Sequence, residues 1–361
     1  MKVLMVAAVE FPPDARIEKE ARALIEAGHE VTLLCLKKKG HEASTYKGIN
    51  LVRLPFGESR LPAPLNWIVD YSLYSEIGCW YTYWHSIGKR AIHVHNPPDF
   101  MVPFLMPLKL FGKKIVFDAH DPTHVLAMSR LRKPKTHWLV RLLKFFFLAA
   151  AWSASAVVTI SPQVARMLGK KAIIVPNSPG DEFFLKPKYP KKNTAIYIGA
   201  MVPGRGLELL VKSMEKVDGE LLMVGKGDIL GKLKALAPAN VKFTGEVPYS
   251  KVPSYLQKAS VAVLPFEPTP INTIGSPNKL YEYMALGMPV VCTDLPGPKR
   301  IAKDAAVFVE FSEKGFAKGI SRLFKSPKLR ERLGRRARAI AEKKFRWPIA
   351  KKPLLDFYSS I

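Results

Sequence analysis

The sequence predicts an α/β fold built from two Rossmann-like domains, and three observations carry that expectation. Short apolar runs alternate with helical periodicities twice over, with no short-period repeat. Residues 176–194, rich in Pro, Lys and Asn and without periodicity, read as a linker between the two series. A chain of 361 residues that is 48% hydrophobic can fill two ordinary cores and is too apolar to be disordered.

In the first half, runs at 3–8, 31–36, 51–54, 91–95, 115–118, 156–160 and 173–175 read as strands. Asp14 and Ala15 open a helix whose Ile17, Ala21, Leu24 and Ile25 face inward, and Gly28 ends it. The turn before it is Phe11-Pro12-Pro13-Asp14 rather than Gly-x-Gly-x-x-Gly. A dinucleotide site is therefore not expected there, whereas a wider turn bordering a cleft is. The apolar run 145–160 contains Ser153, Ser155 and Thr159 and is too short to span a bilayer, so it reads as a helix end followed by a strand. In the second half, strands are expected near 195–199, 221–224, 241–244, 261–265, 290–293 and 306–309. Helical stretches at 313–325, 327–344 and 347–359 close the chain, with Arg346-Trp347-Pro348 separating the last two.

The segment 275–291 is the most informative. Ser276 suits an N-cap and Pro277 a first helical position, where no amide hydrogen is needed. Leu280, Tyr283, Met284 and Gly287 fall at i, i+3, i+4 and i+7, a core face. Gly287 and Pro289 end the helix, and 290–292 continue as a strand buried on both faces. Lys279 sits in the first turn, where the helix dipole disfavours a cation unless an anion is bound beside it. Glu282, three residues on, shares its azimuth and suits a ribose diol. A solvated i,i+3 ion pair is the plainer reading of the same two residues.

Gly275-Ser276-Pro277-Asn278-Lys279-Leu280-Tyr281-Glu282-Tyr283-Met284-Ala285-Leu286-Gly287-Met288-Pro289-Val290-Val291 resembles the nucleotide-binding segment of family 4 glycosyltransferases with the GT-B fold. The resemblance implies two Rossmann-like domains facing a central cleft, here 1–185 and 186–345, with 346–361 crossing back to the first. Leu354, Leu355, Phe357 and Tyr358 would dock there. It implies transfer of a sugar from a nucleotide-sugar donor, UDP- or GDP-linked, with retention at the anomeric carbon and no cofactor required. The family usually carries Glu-x7-Glu; Glu282 matches the second Glu, but Ile274 stands in place of the first. Sugar contacts would then come from Asn272, Thr273, Gly275 and Ser276, with Leu280 in the same segment.

Further stretches extend the resemblance. Arg205-Gly206 matches the basic-Gly pair that reaches the donor diphosphate, while Ala200 stands where another basic residue often sits. Gly225-Lys226-Gly227 resembles the Val-Gly-x-Gly turn, and Val247 lies in a segment similar to one that borders the base. Ordinary turn glycines explain both equally well. His120, followed by Asp121, matches the family's strand–His turn, where the His meets the transferring sugar. His93-Val94-His95-Asn96-Pro97-Pro98-Asp99 follows a second family segment less faithfully, which leaves His95 and Asp99 as candidates. Both stretches end strands, the edge at which open α/β sheets bind ligands. Each His also has a purely structural reading.

Charge is the anomaly of the composition. A formal net charge of +26 implies an anionic partner. Residues 103–171 hold 12 basic residues against Asp118 and Asp121 alone. Trp67, Tyr71, Tyr74, Trp80, Tyr81, Tyr83 and Trp84 crowd 66–85. Basic and aromatic residues together suit an anionic membrane surface, and a lipid-linked or glycan acceptor would fit it. Nucleic acid is not favoured, since no recognised nucleic-acid motif accompanies the charge. The same aromatics would also serve as helix core. Cys35, Cys79 and Cys292 are isolated and odd in number, so neither a disulfide framework nor a zinc site is expected. No Asp-x-Asp is present, and no metal site is expected. Nothing at the start resembles a signal peptide, which points to a cytoplasmic protein with a peripheral hold on the membrane's cytoplasmic face. A sugar-nucleotide epimerase of the same fold, or a basic nucleic-acid-binding protein with a vestigial site, are the alternatives.

Overall fold

The computed structural model describes residues 1–12, 14–38, 40, 42–57 and 65–361, the side chains of 65–73 and 75 excepted. Pro13 of the first turn and the side chains of Trp67 and Tyr71 thus lie outside the described residues. The chain forms two compact units, Met1–Pro176 with Lys351–Ile361, and Asn177–Ala350.

The first unit runs β1 (Lys2–Glu10), α1 (Ala15–Glu26), β2 (Glu30–Leu36), β3 (Thr45–Tyr46), β4 (Ile49–Arg53), α2 (Leu65–His85), β5 (Ala91–His95) and α3 (Met101–Phe104). A 3-10 turn, Met106–Phe111, leads on to β6 (Lys114–Ala119), α4 (Thr123–Arg130), α5 (Trp138–Ser153), β7 (Ala156–Thr159), α6 (Pro162–Leu168) and β8 (Ile173–Ile174). The second unit runs β9 (Thr194–Ile198), α7 (Leu207–Ser213), β10 (Glu220–Val224), α8 (Leu230–Leu236), β11 (Val241–Gly245), α9 (Val252–Leu256), β12 (Val261–Leu264), α10 (Pro270–Ile274), α11 (Asn278–Ala285), β13 (Val290–Thr293), α12 (Pro296–Ala302), β14 (Ala306–Val309), α13 (Glu313–Lys325), α14 (Pro327–Lys344) and α15 (Trp347–Ala350). The closing helix α16 (Lys352–Ser359) belongs to the first unit.

Each unit is organised by one sheet, of order β3-β4-β2-β1-β5-β6-β7-β8 in the first and β11-β10-β9-β12-β13-β14 in the second. All pairings are parallel except β3 with β4. Strands such as Val261–Leu264 and Val290–Thr293 are apolar at nearly every position because helices cover both faces. Strand order reverses direction between β1 and β5, and again between β9 and β12. The loops leaving these strands therefore diverge and open a crevice at the carboxyl edge.

Four expectations need correction. The antiparallel β3 was not foreseen; it turns on Lys47 and Gly48, both at positive φ, without the Asn-Gly pair that signals such a turn. The segment 177–193 is not a free linker, because Phe183 is fully buried in the second core. The Arg338 guanidinium also donates to the Phe184 and Leu185 carbonyls at 2.9 and 2.8 Å. The expected helix 347–359 is two helices, since Pro353 carries no amide hydrogen to continue the ladder from α15. Ser276 is not an N-cap: Pro277 holds that position with extended ψ, and Asn177 Nδ2 takes the Ser276 carbonyl at 2.7 Å.

Candidate active site

In the second unit, the carboxyl ends of β9, β10 and β12 are lined by glycines that no other residue could replace. Gly199 sits at φ +135°, and a Cβ there would occupy the space filled by the Lys279 ammonium. Gly225, at φ +137°, lies against the Gly199 carbonyl. Gly206, at φ +66°, starts α7 and presses on the Pro265 carbonyl at the end of β12. Beside it the Arg205 guanidinium stacks 4.6 Å from the Phe266 ring. Asn272 Nδ2 ties this turn down, donating to the Gly204 and Glu267 carbonyls at 3.1 and 2.9 Å.

Helix α11 delivers the charged pair. Leu280, Tyr283 and Met284 are fully buried, and the Gly287 and Met288 amides close the helix on the Met284 and Tyr283 carbonyls. That anchorage fixes Lys279 over the Tyr197 ring, 5.5 Å from its centroid. Burial first, then the Arg205 charge, lowers the Lys279 ammonium to about 8, and Glu282 offsets only part of this. Glu282 is buried and accepts a 2.8 Å hydrogen bond from Tyr249 Oη. The Ser276 hydroxyl is buried at the start of the same helix with no hydrogen-bond partner among the described residues. A desolvated cation, a second cation and an orphaned hydroxyl around glycine turns form a cradle for an anionic group.

In the first unit, β5 and β6 bring a different cluster to their carboxyl ends. Asp118 is fully buried and accepts from Nε and Nη2 of the Arg16 guanidinium, both at 3.0 Å. Arg16 also meets Glu20 at 2.9 Å. His95 Nδ1 lies 3.0 Å from Asp118, and His120 Nδ1 3.8 Å. His93 stacks on His95 and pairs with Tyr358 Oη of α16 at 2.8 Å. Burial alone would raise the Asp118 carboxyl, yet Arg16, with His120 and His95, holds it well below the carboxylate range. Burial pushes Glu20 up to about 7 against the pull of Arg16. Burial alone would lower His120, yet the nearby Asp118 and Asp121 carboxylates outweigh it and raise the imidazole.

Asn96 shapes the turn that carries His120. Its Oδ1 accepts from the His120 and Asp121 amides at 2.9 and 3.2 Å. Its Nδ2 donates to Asp99 and to the Asp121 carbonyl at 3.2 and 2.7 Å. Thr123 donates to the second Asp99 oxygen. Burial, against those two hydrogen bonds, lifts the Asp99 carboxyl to about 7. His120 keeps 23% of its side chain exposed whereas Asp118, His93 and His95 keep 2% or less. It is therefore the member of this cluster most open to solvent.

Two family models cover the chain in succession. "Glycosyltransferase Family 4" matches residues 16–178 and "Glycosyl transferases group 1" residues 180–340. The chain is a group 1 glycosyltransferase of the GT-B fold. Phosphatidyl-myo-inositol mannosyltransferase of Mycobacterium tuberculosis is 27% identical over 75% of this glycosyltransferase and 74% of its own length. Sucrose-phosphate synthase of Thermosynechococcus elongatus superposes with TM-score 0.82 at 18% identity, covering 100% of this chain and 99% of that one. Anabaena HepE in complex with UDP gives 0.74 at 12% identity, covering 100% of both. Two further curated glycosyltransferases, from Bacillus subtilis and Methanocaldococcus jannaschii, are matched over only 28% and 59% of their length.

Within the glycosyltransferase, the structure draws Arg205, Gly206, Gly225, Asn272, Lys279 and Glu282 to neighbouring positions of the second unit. Other named residues have different places. Leu280 is core. The Thr273 hydroxyl donates to the Thr269 carbonyl within α10. Gly275 packs against Gly297 of α12, and Val247 packs on the second core. In the first unit Asp121 enters through its backbone and through its charge on His120. Sequence reasoning missed Arg16, Glu20, Asp118, Thr123 and Tyr249 as parts of the site, and named Tyr358 only for docking. Glu20 had a readable signal: it lies three residues from Ile17 and four before Leu24, a carboxylate on a core face. Glu20, His93, His95 and Asp118 also bring ligand atoms within 4.8 Å of one another, a spacing open to a metal ion. Arg16, touching Asp118 and Glu20, already supplies a positive charge there.

Proposed function

We propose that this glycosyltransferase takes a sugar from a nucleoside diphosphate donor and passes it, with retention of anomeric configuration, to a hydroxyl of a glycan or lipid-linked acceptor. The observation that carries the donor half is Lys279, a half-buried, desolvated ammonium held beside Arg205 with only partial compensation from Glu282. Placing it there is costly unless an anion is bound. In the reaction the anomeric C–O bond to phosphate breaks, the diphosphate keeps the electron pair, and the acceptor oxygen forms the new bond and loses its proton. Lys279, Arg205, the Ser276 hydroxyl and the amides around Gly206 would neutralise the charge gathering on the diphosphate. Glu282, oriented by Tyr249, would accept from the ribose diol. His120 would hydrogen-bond a sugar hydroxyl, backed by Asp118. The UDP of the HepE structure makes a uridine donor the first to try, and the mannosyltransferase named for phosphatidyl-myo-inositol favours a lipid acceptor.

Calorimetry on the full chain tests this reading. Glu282→Gln should weaken nucleoside diphosphate binding and leave inorganic diphosphate little changed, whereas Lys279→Ala should weaken both. Equal losses from Glu282→Gln for the two ligands would remove its ribose role, and wild-type affinity in Lys279→Ala would refute the site.

A further inference from the structure

Three neighbouring elements of the first unit leave large apolar side chains uncovered. Trp80 and Trp84 stand one turn apart on α2, 77% and 73% exposed, with Ile87 just beyond. The 3-10 turn after α3 ends in Leu110, 87% exposed, and Phe111. Helix α5 carries Trp138, Leu142, Phe145 and Trp152 at spacings of four, three and seven, which is one exposed stripe. These elements are joined: Tyr83 Oη donates to the Phe104 carbonyl at 2.6 Å, and Phe100 of the α3 start packs on Phe146 of α5. Lys113, after the turn, donates to the Ser86 and Lys89 carbonyls that follow α2.

The charge around this face is one-sided. Residues 77–180 hold 14 Lys and Arg against Asp99, Asp118 and Asp121. Asp99 and Asp118 are buried and bonded, and so present no carboxylate to solvent. Exposed Trp among Lys and Arg is the composition of a headgroup boundary, where the rings enter the acyl edge and the cations meet phosphate. A protein partner would ask for mixed charge and a complementary groove, and a second copy would bring the same cations face to face. No described helix is long and apolar enough to cross a membrane, so the contact is superficial.

We propose that this face, formed by Trp80, Trp84, Leu110, Phe111, Trp138 and Phe145 with the surrounding Lys and Arg, inserts into the surface of an anionic bilayer. It rests on the acceptor half of the function proposed above, a lipid-linked acceptor presented at that surface, and not on the donor site.

Sedimentation of the full chain with phosphatidylglycerol–phosphatidylcholine vesicles, against phosphatidylcholine alone, tests the proposal. Lipids brominated in the acyl chains report insertion through quenching of tryptophan emission. The expected result is binding to the anionic vesicles only, with quenching, and a fall of more than tenfold in partition for Trp84→Ser/Phe111→Ser/Phe145→Ser. Lys133→Gln/Lys135→Gln/Arg141→Gln/Lys144→Gln should also weaken binding and flatten its salt dependence. Binding without quenching, equal binding to both vesicles, or no binding would each overturn it. So would concentration-dependent dimerisation that the serine substitutions abolish while vesicle binding persists. Transfer to a soluble acceptor without vesicle binding would defeat the docking face alone; vesicle binding without nucleotide affinity would defeat the donor site alone.

Discussion

The two units place charge at the same edge of the same kind of sheet and treat it in opposite ways. At the end of β6, Asp118 is completely buried and fully answered, with Arg16 across both oxygens and two imidazoles beside it. At the start of α11, Lys279 is half-buried against Gly199 beside a second cation, with Glu282 as a partial counterweight. The first arrangement lowers the energy of the folded chain, and the second raises it. A charge that is satisfied internally positions something else, here His120. A charge left strained is one that a bound anion would relieve.

The largest expected effect breaks the satisfied side. Asp118→Asn removes one of the two buried carboxylates that face Arg16, Glu20 being the other, and should cost up to about 3–5 kcal/mol, read as an early unfolding of the first unit in denaturant. Lys279→Met, by contrast, should leave the second unit as stable or more so, because it removes a desolvated ammonium that Glu282 compensates only in part. Loss of stability in Lys279→Met and none in Asp118→Asn would invert the comparison. The sign for the aspartate is that of a depressed carboxyl. Its stabilisation is present above the unfolded value, about 3.9, and disappears as pH falls through the lower folded value.

Next in size is His120→Ala. If His120 contacts the transferring sugar as proposed, its removal should lower kcat by roughly 10²–10⁴ with nucleoside diphosphate affinity unchanged. A folded variant with near-normal turnover would make His120 structural and move attention to His95 and Asp99.

How much of this was legible follows from what each feature depends on. Strands buried on both faces announce themselves locally, as Val290–Thr293 does, and α13 and α14 carry serine caps at Ser312 and Ser326 that fix their starts. The donor helix was readable because its glycine, proline and core spacing lie within 17 residues. The network behind His120 was not, since Arg16 meets Asp118 across 102 residues and Tyr358 meets His93 across 265. Nothing local marks such pairs except a misplaced carboxylate such as Glu20. The Ser276 cap failed for a related reason: Asn177, 99 residues away, holds the Ser276 carbonyl and Pro277 becomes the boundary.

A moderate effect should separate the two kinds of charge by pH. Lys279 is lowered to about 8, so the free protein loses that cation as pH rises through 8, whereas bound diphosphate requires it protonated. Nucleoside diphosphate affinity should therefore fall by up to about tenfold per pH unit above 8. Between 8 and the unfolded value, about 10.5, the unfolded chain binds the extra proton, and stability should rise with pH. Lys279→Arg, which does not titrate in this range, should abolish the affinity slope. A flat profile in the native chain between pH 7 and 10 would show that Lys279 meets no anion.

The smallest effect is expected at Ile274, which ends α10 where the family's first Glu would stand. Its neighbours there use their polar groups internally: Asn272 clamps the Gly204 and Glu267 carbonyls, and the Thr273 hydroxyl is bound to Thr269. A donor sugar placed here would be left to backbone amides, and the isoleucine side chain would contribute shape rather than a hydrogen bond. Ile274→Ala should cost less than about tenfold in turnover, or roughly 1.4 kcal/mol of barrier. Ile274→Glu sharpens the test. A carboxylate beside Lys279 and Arg205 would relieve their mutual repulsion without any ligand, so it should raise the Lys279 ammonium and weaken inorganic diphosphate binding. If Ile274→Glu instead leaves both unchanged, the end of α10 lies outside the anion cradle, and the sugar contacts must be sought nearer Gly206.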